Sequence, residues 1–227
     1  YKECKLANDS LIYIGKTRQL LNEHTKNGLI SIQDEAGQLV APLLDLKEND
    51  YVLDMCAAPG SKTCHMGELL KNKGNIVAID LYEHRLELLT KARNRLGLSN
   101  ITTKAYDSTK LHEVFPKEKF NKILLDAPCS GLGVIRRKMD IKYNVSPESI
   151  DELVLLQENL LNEAYDLLKK SGTLVYSTCT LNKKENEKQV EKFIKSHQDM
   201  KIIEEKTILP YVDNSDGFYY CKMIKEG

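Results

Sequence analysis

From Asp50 onward the chain alternates between two hydrophobic patterns, short apolar runs and longer stretches with apolar residues three and four apart. The first signals a buried strand and the second an amphipathic helix. Tyr51–Leu53 reads as a strand, followed by a Gly/Pro turn and a helix to about Leu70. Asn75–Ile79 is a second strand, and Glu83–Leu96 a helix closed by Gly97, a natural residue for the left-handed position after a helix. Ile101–Ala105 and Phe120–Leu125 are the third and fourth strands. Ala127–Pro147 has no clear period. Glu148–Lys169 is a long helix with Ser146 as its N-cap, Thr173–Ser177 a fifth strand, and Lys184–Ser196 a helix. Lys201–Glu204 and Phe218–Met223 close the chain as a strand pair, with Asp216-Gly217 in the turn. Ahead of this series, Ser10–Gly15 and Leu29–Asp34 read as short strands. Glu35–Leu46, with Ala36, Leu39, Val40, Leu43 and Leu44 apolar, reads as an amphipathic helix.

Strands that alternate with helices predict a parallel sheet covered on both faces. At 227 residues the chain holds one large domain or one domain with an appendage. Hydrophobic residues at 41% and charged residues at 29% are ordinary for a globular protein and argue against disorder, collagen and coiled coil. No apolar run approaches the roughly 20 residues of a membrane helix. The first residue is Tyr1, and no signal-peptide pattern follows it, so a cytoplasmic location is expected. The six cysteines include no C-x-x-C pair, so the expectation is reduced thiols, with Cys4, Cys64 and Cys221 inert. The 33 basic and 33 acidic residues cancel, so a nucleic-acid partner has to be argued from a local patch.

Ligands in open α/β sheets sit at the carboxyl ends of the strands. The first such turn is Asp54-Met55-Cys56-Ala57-Ala58-Pro59-Gly60-Ser61-Lys62-Thr63. Its small residues permit close approach, and Gly60 can adopt a positive φ. It is neither G-x-G-x-x-G nor a P-loop, which disfavours a pyrophosphate. Asp80, Asp107 and Asp126 follow the next three strands. A lone carboxylate at a strand end usually caps a turn. Four in succession, counting Asp54, point instead to a ligand with a ribose, an adenine and a charged tail, such as S-adenosylmethionine.

Two cysteines lie past strand ends on the same edge, Cys129 in Asp126-Ala127-Pro128-Cys129-Ser130-Gly131 and Cys179 in Ser177-Thr178-Cys179-Thr180-Leu181. Fifty positions apart in sequence, they become neighbours if their strands are adjacent. A thiolate beside a methyl donor suits methylation of carbon-5 of a pyrimidine. Addition of sulfur to carbon-6 turns an unreactive carbon-5 into an enamine-like nucleophile. Asp126 is then placed to hydrogen-bond the cytosine ring nitrogen and amine. The residues themselves leave open which thiol attacks.

The turn DMCAAPGSKT, the DAPCSG segment, and STCTL followed by Glu185-Asn186 resemble the bacterial RsmB (Sun/Fmu) family of 16S ribosomal RNA cytosine-5 methyltransferases. Ser31–Ala36 resembles the family's V-Q-D-E-A-S element, and Leu209-Pro210 with Asp216–Tyr219 its closing hairpin. The resemblance implies a Rossmann-like class I S-adenosylmethionine-dependent methyltransferase, with a mostly parallel seven-stranded sheet and a C-terminal antiparallel strand. It implies that Cys56, Ala57, Ala58, Pro59, Gly60, Ser61, Lys62, Asp80, Asp107 and Asp126 bind the cofactor, that Cys179 attacks, and that Cys129 assists release of the adduct. Ser61, Thr180 and Gly37 depart from the family pattern without removing a chemical group. The family also carries an N-terminal NusB-like domain. On that reading residues 1–45 are a linker or N-terminal remnant and 46–227 the catalytic domain. The implied partner is 16S ribosomal RNA before full subunit assembly, acted on by a monomer, with no membrane and no metal.

Between Lys110 and Lys142 eight basic residues face four acidic ones, a local charge of +4. Arg136-Arg137-Lys138 follows Cys129 in the long loop and is the candidate phosphate contact. His24, His65, His84, His112 and His197 show no metal-ligand spacing. Competing readings are a methyltransferase for tRNA, a DNA cytosine methyltransferase, a non-catalytic cofactor- or RNA-binding module, and a thiol-redox enzyme.

Overall fold

The computed structural model describes residues 1–7, 10–15 and 18–227, with the side chains of 18–20 left aside; the reading of residues 1–45 therefore lies partly outside the described residues. In chain order the elements begin with the strands β1 (Lys2–Glu3) and β2 (Leu11–Ile12) and the helices α1 (Arg18–Lys26), α2 (Glu35–Gln38) and α3 (Val40–Leu43). The alternating part runs β3 (Tyr51–Asp54), α4 (Ser61–Leu69), β4 (Asn75–Asp80), α5 (Glu83–Arg95), β5 (Ile101–Ala105) and β6 (Phe120–Asp126). It continues through α6 (Ile141–Asn144), α7 (Pro147–Leu167), β7 (Leu168–Thr178), α8 (Glu187–Ser196), β8 (Met200–Ile208), α9 (Pro210–Asp213) and β9 (Phe218–Lys225).

Seven strands form one sheet in the order β5-β4-β3-β6-β7-β9-β8. The first five pair parallel, and β9 runs antiparallel to both neighbours. The expected α/β sheet with its antiparallel C-terminal strand is therefore present. Alternate strand residues face opposite sides, so each strand feeds two cores. Leu53, Ile123, Leu125 and Tyr176 face one core, where they meet Leu160, Ala164 and Leu167 of α7 and Phe193 of α8. Val52, Leu124 and Val175 face the other, with Met66 of α4 and Leu86 and Leu89 of α5. Ala36, Val40, Ala41 and Leu44 are fully buried in this second core. Among the described residues no helix is long and apolar enough to cross a membrane.

Five local expectations are revised. Leu29–Asp34 is not a strand: Leu29 and Ile32 are exposed, and Asp34 turns to cap α2, accepting from the Ala36 N–H at 3.2 Å. The helix expected over Glu35–Leu46 breaks into α2 and α3. Pro42 has no N–H to donate to Gln38, and the Leu39 N–H bonds three residues back to the Ala36 carbonyl at 3.2 Å. The long helix stops at Leu167, where Leu168 turns extended and pairs with Phe120. The next helix begins at Glu187 rather than Lys184, because Glu185 and Asn186 point into the loops beside them. The strand expected at Ser10–Gly15 shortens to Leu11–Ile12, paired with Lys2–Glu3.

Three loops meet backbone to backbone beyond the sheet edge. The Gly133 N–H donates to the Cys179 carbonyl at 2.9 Å, and the Gly217 N–H donates to the Gly133 carbonyl at 2.9 Å. A Cβ on Gly133 would lie 2.0 Å from the Gly217 oxygen and 2.8 Å from the Cys179 oxygen. Both obstacles are main chain and cannot rotate aside. Gly133→Ala is expected to lower stability by about 1–3 kcal/mol, as overpacking does, read as a lower midpoint in urea denaturation.

Candidate active site

Parallel register brings the carboxyl ends of β3, β4, β5, β6 and β7 to one edge. The turn after β3 is held to that edge by its own backbone: the Met55 N–H donates to the Leu124 carbonyl at 3.0 Å and the Ala57 N–H to the Ile79 carbonyl at 2.8 Å. Gly60 stands at φ 107 as the N-cap of α4, and a Cβ there would meet Leu89 Cα at 2.9 Å. Only glycine fits that conformation and that contact. Cys56, Ala57, Ala58, Pro59 and Ser61 complete the small-residue cradle, and burial pushes the Cys56 thiol well up, which suits contact rather than nucleophilic chemistry.

The four strand-tip aspartates divide by environment. Asp54 is buried; its Oδ2 accepts from Thr63 Oγ1 at 2.7 Å, while Oδ1 is buried with no hydrogen-bond partner. Burial, with a smaller contribution from the Asp126 charge, pushes its carboxyl up to about 7, against the Thr63 hydrogen bond. Asp80, buried, accepts from the Ala58 N–H at 3.2 Å and pairs with Arg85 at 3.2 Å, which fixes the cradle to the tip of β4. Asp107 caps the turn after β5 through Thr109 Oγ1 at 2.7 Å and the Thr109 N–H at 2.9 Å, both bonds to Oδ1, and these hold its carboxyl below the usual range. Asp126 accepts from Lys62 Nζ at 2.7 Å and Ser177 Oγ at 2.8 Å.

The two thiols that the sequence placed on one edge are in contact, Cys129 Sγ to Cys179 Sγ at 3.4 Å. They are not equivalent. The hydrogen bond from Cys129 lowers the Cys179 thiol below its ordinary value, with the Lys62 ammonium assisting, against burial and the Asp126 charge. The same contact, with burial, raises Cys129 well above. Of the two, Cys179 is therefore the thiol that ionises first, with Cys129 left to donate to it. Lys62, for which burial alone would lower the ammonium, is raised by Asp126 and held charged. Cys64 and Cys221 lie buried in the core, their thiols raised by burial.

Behind the thiols lies a polar network that sequence reasoning did not assign. Buried Glu185 accepts from the Ser130 N–H at 2.8 Å, Ser130 Oγ at 2.6 Å, Gln157 Nε2 at 3.2 Å and Thr180 Oγ1 at 3.3 Å. Asn186 accepts from Thr178 Oγ1 at 2.6 Å and donates to the Thr180 carbonyl at 3.0 Å. The available signal was position, since Glu185-Asn186 follows the STCTL segment within one turn. Arg136 and Arg137, expected to face solvent phosphate, both pair with the buried Asp216, and Arg137 also lies 3.6 Å from Asp34. They bind the long loop to the closing hairpin. Lys138 is exposed.

The cradle was tested as a cofactor site on its own atoms. An unpartnered buried acceptor at Asp54, carboxylates at Asp80 and Asp107, and no phosphate nest fit a cationic ligand with sugar hydroxyls. This constellation at one edge of a mostly parallel sheet defines the Rossmann-like methyltransferase fold. The profile of the 16S rRNA methyltransferase RsmB/F family matches residues 41–224, and the chain belongs to that family. It is 45% identical to a probable ribosomal RNA small subunit methyltransferase B of Bacillus subtilis, over 89% of this chain and 49% of that protein. It is 37% identical to ribosomal RNA small subunit methyltransferase B of Yersinia enterocolitica, over 87% of this chain and 47% of that protein. The chain spans about half the length of the curated relatives it matches. Among solved structures it is similar to NSun6 from Pyrococcus horikoshii with SFG, at 32% identity and a TM-score of 0.85, covering 94% of this chain and 57% of that one. It is also similar to a methyltransferase homolog protein from Pyrococcus horikoshii, at 30% identity and a TM-score of 0.83, covering 93% and 73%.

The thiol electrostatics carry a prediction that needs neither RNA nor cofactor. Cys129→Ala removes the donor and Lys62→Met the cation that stabilise the Cys179 thiolate, so each shifts the midpoint of Cys179 alkylation to higher pH. At pH 7 alkylation slows in both, more in Cys129→Ala. Iodoacetamide rates followed by mass spectrometry across pH check this.

Proposed function

We propose that this chain catalyses S-adenosylmethionine-dependent methylation of carbon-5 of a cytosine in 16S ribosomal RNA, through a covalent adduct between Cys179 and carbon-6. The observation that carries the reading is the pair of thiols 3.4 Å apart beside the carboxylate-lined cradle. Family membership supports the substrate class, and the similarity to NSun6 with SFG supports the cofactor class.

Cys56 to Lys62, with Asp80 and Asp107, would hold the cofactor, and Asp54 Oδ1 offers it a buried acceptor. The cofactor, when bound, supplies an electrophilic methyl group. Cys179 sulfur adds to carbon-6 of a base drawn out of its stack. A carbon–sulfur bond forms, and the carbon-5 to carbon-6 π electrons make carbon-5 nucleophilic. Asp126 accepts from the cytosine amine, a donor that uracil lacks, so the same carboxylate selects the base and counters the charge that develops on it. Lys62 Nζ, 2.7 Å from Asp126, orients that carboxylate. After methylation the carbon-5 proton passes to a water molecule, the carbon-5 to carbon-6 double bond re-forms from the C–H pair, and the carbon–sulfur bond breaks to return the Cys179 thiolate. Cys129, in contact with that sulfur, assists the release.

Residues 46–227 form the catalytic unit in this proposal, with the helices of residues 35–43 packed against it. Lys138 and the loop around it contact the RNA backbone, and Arg136 and Arg137 order that loop through Asp216. Such contacts give affinity and salt dependence rather than sequence choice.

The test is methyl transfer from labelled cofactor to unmodified small-subunit rRNA, by the full-length protein. Cys179→Ala abolishes transfer and spares cofactor binding, and near-normal turnover would sink the assignment. Cys129→Ala accumulates an RNA–protein adduct that survives denaturation; the same adduct with Cys179→Ala instead would reverse the two roles. Transfer to DNA and not RNA would move the chain to another substrate class.

A further inference from the structure

We infer that Glu185 is a positioning residue for the thiol pair, its carboxylate clasping the residues that flank both cysteines and so setting the sulfur–sulfur contact. The inference rests on the reading that Cys179 is the attacking thiolate. Glu185 lies outside the sheet edge and touches neither sulfur. It is fully buried, in the tight turn before α8, with its N–H donating to the Asn182 carbonyl at 3.0 Å and its carbonyl accepting from Tyr176 hydroxyl at 2.6 Å. Its main chain is therefore fixed, and its side chain reaches both loops from a firm base.

The carboxylate divides its two oxygens between them. Oε2 accepts from the Ser130 N–H and from Gln157 Nε2, and Gln157 in turn donates to the Pro128 carbonyl at 2.9 Å. Oε1 accepts from Ser130 Oγ and Thr180 Oγ1, which also bond each other at 2.8 Å. Pro128 and Ser130 bracket Cys129, and Thr180 follows Cys179. One anion thus ties down the chain on both sides of one thiol and on the far side of the other. Its partners are neutral amides and hydroxyls, whose bonds to a carboxylate are stronger and more directional than neutral ones. A clasp of that kind holds the two loops that leave the paired strands β6 and β7 at a fixed separation beyond the last ladder position. The Cys129 proton bridges to Cys179 only while the sulfurs stay in contact.

A purely structural carboxylate would affect folding and leave the thiols alone, so the test reads the thiols. Glu185→Asp keeps the charge and shortens the reach by one methylene. Glu185→Gln keeps the length, leaves an oxygen for the Ser130 N–H, and lets the two hydroxyls turn to accept from the amide. The measurement is the pH midpoint of Cys179 alkylation, followed in the tryptic peptide Ser171–Lys183, which contains no other cysteine. Glu185→Asp is expected to raise the midpoint by about one pH unit, roughly a tenfold loss of thiolate at neutral pH. Glu185→Gln is expected to stay near the wild-type midpoint. In a Cys129→Ala background, where the donor is already gone, Glu185→Asp is expected to add nothing.

An unchanged midpoint in Glu185→Asp overturns the inference. So does an equal shift with and without Cys129, which would mark a general disturbance, and so does an equal shift in Glu185→Asp and Glu185→Gln, which would detach the effect from reach, since Glu185→Gln keeps the length. A wild-type full-length protein that shows the expected alkylation pattern but transfers no methyl group would defeat the proposed function and leave the positioning role in place.

Discussion

β6 and β7 run parallel and in register, with Asp126 opposite Ser177, and the chemistry at the sheet edge follows from that pairing. Strands joined this way lie about 4.8 Å apart. Cys129, three positions beyond the end of β6, and Cys179, one beyond the end of β7, then emerge side by side across fifty residues of sequence. The pairing also fixes the carboxylate between them, because Ser177 donates to Asp126. A slip of one residue would turn Asp126 into the core and separate the thiols. The eleven residues of β7, buried along nearly all of its length from Thr173 onward and paired on both sides, resist that slip.

The edge is acidic, and the partly buried Lys62 lies in its midst. Lys62 contacts Asp126 directly and lies close enough to Cys179 to favour its thiolate, so one ammonium stabilises two anions. Asp54 shows the alternative. It is as close to the cradle, has no cation in contact, and is pushed up to about 7 by burial. The two aspartates stand in neighbouring strands and differ in partner, since only Asp126 has the ammonium of Lys62 in contact. Lys62 thus links the cradle to the thiols, and a change in one is felt electrostatically by the other.

Much of this was legible in the sequence where it depends on period and topology. The strand-helix alternation gave the sheet, and two cysteines past two strand ends gave their proximity. What escaped depends on side chains that meet from distant positions. Lys62 read as part of a ligand turn, and nothing local announced Asp126, sixty-four residues on, as its partner. Arg136 and Arg137 read as a phosphate contact, and nothing local announced Asp216, in another hairpin, as their partner. Glu185, one acidic residue in a run of Lys and Glu, looks like a helix surface in one dimension and is fully buried in three. The misread boundaries have local causes: Pro42 lacks a donor, and Leu168 finds a strand partner in Phe120.

The sheet ends at β8, whose outer side pairs with no strand among the described residues. From Lys201 to Lys206 its residues are exposed, and four of the six are charged, Lys201, Glu204, Glu205 and Lys206. An open row of backbone donors and acceptors is a template on which another chain can add a strand. Here any chain that docked would have to bury charges of both signs along its whole length. The charges along β8 therefore raise the cost of adding a strand at this end of the sheet.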